Sequence, residues 1–64
     1  MGNAIIVMSN GDAYHTTDTV ADEVLELVKR PDIQSVTTSF IDTKSNKRVI
    51  VFIGQISSVV RDEQ

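Results

Sequence analysis

His15 is the only imidazole in the chain, and Ser9, Asp12 and Asp18 are the nearest residues in sequence that could share chemistry with it. Ser9, Asp12 and His15 have the side-chain types of a hydrolytic triad. Nucleophilic catalysis also needs a strained turn carrying the serine and an oxyanion hole, and neither is signalled around Ser9. A metal needs convergent ligands, which one histidine on a strand does not supply, and the chain has no cysteine. Asp22, Glu23 and Glu26 sit close together, but on the polar side of a helical pattern, where carboxylates serve as a solvated face. The three glycines form neither a G-x-G-x-x-G fingerprint nor a Walker loop. These residues predict a protein that is not an enzyme and that holds no metal and no cofactor.

Lys44, Lys47 and Arg48 are the one concentration of positive charge. They are the candidate contact for an anion or RNA, but the preferred reading is a tip that stays solvated and discourages strands from pairing edge to edge. A formal net charge of −3 does not favour duplex-DNA binding by phosphate neutralisation. Tyr14, Phe40 and Phe52 are the only aromatic residues, and two of them are expected in the core, which leaves little for base stacking.

These residues must be placed by a small framework. A chain of 64 residues makes a single domain spanning 1–64, and at that size about 60% of the unfolded chain's surface is hidden on folding. The apolar fraction of 41% and charged fraction of 23% are those of a folded protein. With no disulfide available to add stability, self-association is the remaining route. The apolar runs Ile5–Met8 and Val49–Ile53 are far shorter than the roughly 20 residues of a membrane-crossing helix. The start lacks a basic region and cleavage site, and "MGNAII" has Ile6 where a myristoylation signal wants Ser or Thr. The expectation is a soluble cytoplasmic protein with no membrane partner.

"AIIVMSNGDAYHTT" predicts a hairpin around Asn10-Gly11, in a two-residue turn that sets Val7 opposite Tyr14 and Ile6 opposite His15. "TDTVADEVLELVKRPD" predicts an amphipathic helix capped by Asp18 or Thr19 and stopped by Pro31. Its apolar arc holds Val20, Ala21, Val24, Leu25, Leu27 and Val28, and Glu26 is set to pair with Arg30. "IQSVTTSFIDTKSNKRVIVFIG" predicts a second hairpin, with a Lys44-Ser45-Asn46 loop, Asn46 left-handed, and Asp42 opposite Arg48. Gly54-Gln55 breaks the chain before the last strand, "ISSVVR", and the polar tail "RDEQ". The fold class is therefore α+β, in the order ββαβββ, as an antiparallel sheet or small barrel with one helix.

"VFIGQISSVV" and "IIVMSNGDAYHT" resemble strands of the Sm-like (Hfq-type) small β-barrel family, over less than half of the chain. The resemblance implies a small oligomeric barrel that contacts RNA or nucleotides. Two features depart from it. That family carries its helix before the first strand, and its Tyr-Lys-His RNA-contact cluster would fall on Phe52, Ile53 and Gly54 here.

The run Val49–Ile53 is apolar on both sides of a strand, while the chain has one helix to cover one side. Ile50 and Phe52 are predicted to share a face with Phe40 and Val36. Ile41, Val49, Val51 and Ile53 then form the opposite face, the expected interface with another copy or a partner. The function this predicts is a non-enzymatic, homo-oligomeric interaction protein that binds another macromolecule, of the accessory or inhibitor type found in mobile elements such as phages. An RNA-binding module and a small subunit of a hetero-complex are the alternatives, with a protein partner preferred to nucleic acid.

Overall fold

The computed structural model describes residues 2–61. Met1 and the tail residues Asp62, Glu63 and Gln64 lie outside that range. The chain is α+β: β1 (Asn3–Met8), β2 (Ala13–Thr17), α1 (Asp18–Val28), β3 (Thr37–Asp42), β4 (Lys47–Phe52) and β5 (Ile56–Arg61), with 3-10 turns at Pro31–Ile33 and Ile53–Gln55. All strand pairs are antiparallel. They form a three-stranded sheet in the order β2-β1-β5 and a two-stranded sheet of β3 and β4.

The first hairpin differs from its predicted register by one residue. Ile6 lies opposite Tyr14 and Ile5 opposite His15. Gly11 alone is left-handed, at φ +97°, so the loop is Ser9-Asn10-Gly11 rather than a two-residue turn. The Met8 carbonyl accepts from Gly11 N–H at 3.0 Å, and the Asn10 side chain accepts from Asp12 N–H at 3.0 Å. A glycine at the third loop position takes the one positive φ that such a turn needs, at no steric cost.

The helix starts one residue early. Thr17 is extended and its hydroxyl accepts from Val20 N–H at 3.4 Å, which satisfies one of the otherwise orphaned first-turn donors. At the other end Gln34 donates its amide to the Arg30 carbonyl at 2.8 Å, and Pro31 opens the 3-10 turn. Glu26 pairs with Lys29 at 3.4 Å instead of with Arg30, which reaches Asp32 at 3.8 Å. Ala21 and Val24 are buried, Val20 and Val28 pack on the core, and Leu25 and Leu27 are half-buried at the flanks.

Ile6, Met8, Val24, Phe40 and Val51 form the central cluster, with the Tyr14 ring edge-on to Phe40 at 6.1 Å between centroids. Burying a side chain of this kind contributes about 1.5–3 kcal/mol. In β5 both Ile56 and Val59 pack on the cluster although three positions apart, which a regular strand does not allow. An extra residue in β5, Ser57, between the Val7–Ser58 and Met8–Ile56 pairs makes a bulge that resolves this. Arg61 fastens the end of β5 to α1 through Asp18, at 3.6 Å, and Asp22.

The corner from β4 to β5 is held by backbone contacts. Gly54 N–H donates to the Gln34 carbonyl at 2.8 Å, and Ser9 N–H donates to the Gln55 carbonyl at 2.7 Å. A Cβ on Gly54 would stand 2.7 Å from that Gln34 oxygen, so this approach requires glycine.

Candidate interaction surface

In the second hairpin the loop is longer by one residue than predicted. Asn46 is left-handed, at φ 58°, as the sequence suggests, but the loop runs over Thr43-Lys44-Ser45-Asn46 and Asp42 lies opposite Lys47, not Arg48. The Asp42 carboxylate explains the extra residue, since it accepts from Lys44 N–H at 3.0 Å and draws the chain into a tight turn. It also accepts from His15 N–H at 3.4 Å, while Thr43 N–H donates to the His15 carbonyl at 3.0 Å. These bonds join the hairpin tip to β2. Desolvation acts to raise the Asp42 pKa, but hydrogen bonds from Lys44, Ser45 and His15 outweigh it and hold the carboxyl below its ordinary value.

One residue of register exchanges the two faces of a strand. Phe40 therefore lies opposite Val49, and with Val51 it points into the core. Ile50 lies opposite Ser39 and points outward, 68% exposed, and Phe52 lies opposite Thr37, 56% exposed. The predicted interface set is corrected accordingly. Val51 and Ile53 are buried and Val49 is half-buried against the core, so among those four residues only Ile41 is exposed. The expected grouping of Ile50 and Phe52 with Phe40 also fails, for the same reason. The outer face of β3–β4 carries Ile50 and Phe52 as neighbours along β4, with Ile41 on the far side of the Arg48 side chain. Thr37 and Ser39 border the pair, and the Arg48 guanidinium donates to the Ser39 hydroxyl at 3.3 Å.

The edge of β4 away from β3 is open. Ile53 N–H donates to the Val36 carbonyl at 2.9 Å, which fixes the alternation along the strand. In an antiparallel ladder each residue's N–H and C=O point to the same side, and successive residues alternate. Ile53, Val51, Val49 and Lys47 thus face β3. Arg48, Ile50 and Phe52 direct their backbone groups outward, and among the described residues β4 pairs with β3 alone. The same three residues hold their side chains on the exposed outer face.

Charge is concentrated at one end of this surface. Lys29, Arg30 and Arg61 are ion-paired within the chain, whereas Lys44, Lys47 and Arg48 are exposed and make no ion pair with a described residue. These three cations are recognisable by their clustering in the sequence, and all lie at the β3–β4 tip. The exposure of Ile50 and Phe52 was not legible in the apolar run itself. The Asp42-Thr43-Lys44 turn signal, read ahead of the Asn46 position, would have given the longer loop and with it the correct faces.

The residues of the triad reading are engaged separately. The Ser9 hydroxyl donates to the Gln55 side-chain oxygen at 2.7 Å, Asp12 accepts from Asn10 at 3.2 Å, and no hydrogen bond joins any two of Ser9, Asp12 and His15. His15 instead lines a groove of about 410 Å³ with Asn3, Ile5 and Val60 on the outer side of β2-β1-β5. Among the described residues no three His, Asp or Glu side chains converge as metal ligands, and no helix is long and apolar enough to cross a membrane. No protein-family model, curated protein or solved structure matches the chain.

Proposed function

We propose that this chain is a non-enzymatic interaction protein that works by docking another macromolecule on the outer face of the β3–β4 hairpin. The observation that carries this reading is the exposure of Ile50 and Phe52, side by side on a strand whose edge is also open. Large apolar side chains singly exposed are ordinary, but a contiguous patch bordered by polar residues marks a contact surface. The role is of the accessory or inhibitor type, acting by occupation of a partner rather than by chemistry.

Self-association is the second reading, favoured by a separate apolar area. On the outer side of β2-β1-β5, Val60 is 52% exposed beside Ile5 and Val7, which are half-buried. A two-fold contact that brings this same face of two copies together leaves the hairpin available. Sedimentation at micromolar concentration tests it, and a 7.1 kDa species alone would remove the oligomer.

The docking reading is tested by affinity capture from the host with wild-type protein and the folded Ile50→Asp and Phe52→Asp variants, followed by mass spectrometry. Partners retained by wild type and lost by both variants support it. Equal capture by all three contradicts it.

A further inference from the structure

Taking the β3–β4 surface as the docking site, the backbone of β4 narrows the chemistry of what docks there. We propose that the partner supplies an extended acidic polypeptide segment that adds to β4 as a further antiparallel strand, apolar opposite Phe52 and Ile50 and carboxylate-bearing opposite Arg48.

Three observations meet on the same residues. Arg48, Ile50 and Phe52 present outward N–H and C=O groups at every second position, a repeat of about 6.6 Å that another polypeptide strand matches. Their side chains line the outer face, with Ile50 and Phe52 more than half exposed. Arg48 makes no ion pair among the described residues, its guanidinium donating only to the neutral Ser39 hydroxyl, and Lys44 and Lys47 at the adjoining tip are likewise without an ion pair, in a chain whose formal charge is −3. Sheet edges left to solvent are ordinarily blunted by an inward charge, a proline or a bulge. Between Arg48 and Gly54 the sequence Val-Ile-Val-Phe-Ile has none of these.

The alternatives fit less of this. A nucleic acid has no amide backbone to pair with the edge, and Phe52 is the one aromatic ring exposed along it, since Phe40 is buried and Tyr14 packs on the core. A second β4 brings no carboxylate to Arg48. In an antiparallel arrangement the partner residues facing Phe52, Ile50 and Arg48 follow one another at i, i+2 and i+4. The recognised pattern is therefore apolar-x-apolar-x-acidic, extended over about 13 Å.

The test uses a fluorescein-labelled peptide containing Val-Thr-Val-Thr-Glu, the same peptide N-methylated at its second valine, and an oligouridine of similar length. The parent peptide is expected to bind by anisotropy. N-methylation, which removes the amide facing Ile50 without touching side chains, weakens binding at least tenfold, and Arg48→Glu weakens it about fivefold or more with a reduced salt dependence. In amide exchange, the Ile50 N–H slows at least tenfold on peptide addition while Val49 and Val51, already bonded to β3, are unchanged. Equal binding of the N-methylated peptide overturns strand addition, as does no binding of the parent peptide at millimolar concentration or tighter binding of oligouridine. If Ile50→Asp and Phe52→Asp still abolish native partner capture in those cases, the docking surface stands and only strand addition falls. If capture is unaffected, the docking reading falls too.

Discussion

Replacing two adjacent residues of β4 by aspartate separates its two faces. Val51 is 6% exposed within the core cluster, whereas Ile50 is 68% exposed. Val51→Asp forfeits about 2 kcal/mol of apolar burial and puts a carboxylate where its effective desolvation penalty is several kcal/mol. A 64-residue domain has a total stability of about 3–10 kcal/mol, so this variant is expected to be largely unfolded. Ile50→Asp loses at most a third of a side-chain burial and a little strand preference, about 1–2 kcal/mol altogether, and is expected to stay folded. Circular dichroism with urea titration reads both. A folded Val51→Asp beside an unfolded Ile50→Asp would show that the hairpin is paired one residue away from the register described, and the interaction surface would have to be reassigned to Val49, Val51 and Ile53.

Two further outcomes follow from local geometry. Gly54→Ala forces its Cβ against the Gln34 carbonyl at 2.7 Å and is expected to cost about 1–3 kcal/mol, read as a lowered urea midpoint at unchanged slope. Because hydrogen bonding lowers the folded pKa of Asp42, its ionised form contributes stability that is fully present above about pH 4 and is lost as pH falls through the folded value. The stability difference between wild type and Asp42→Asn should therefore be constant near neutrality and shrink in acid, and a difference that grows below pH 4 would contradict the assigned bonds.

The elements of the fold were legible in the sequence because their signals are local. Pro31 stops α1, Asn10-Gly11 places a hairpin, Asn46 takes the left-handed position, and the order ββαβββ is the one observed. Register was less legible, since turns of two, three and four residues differ by small local energies and the choice rests on distant contacts. Asn10-Gly11 suits a two-residue turn, yet Ser9 is held in the loop by backbone and side-chain bonds to Gln55 on another element. In the second hairpin the Asp42 carboxylate, shared between Lys44 and His15, draws one more residue into the loop. That single residue reversed the reading of Val49, Ile50, Val51 and Phe52. The basic cluster of Lys44, Lys47 and Arg48 survived the slip because a hairpin tip is exposed in either register.

The most direct measurement of the open-edge surface is residue-resolved amide hydrogen exchange on the free protein. Val49 and Val51, bonded to β3, and Ile53, bonded to Val36, are expected to be protected, while Arg48, Ile50 and Phe52 exchange at least tenfold faster. Uniform protection along β4 would mean that its edge is already covered, and the reverse alternation would mean that the surface assigned to partner binding faces the core.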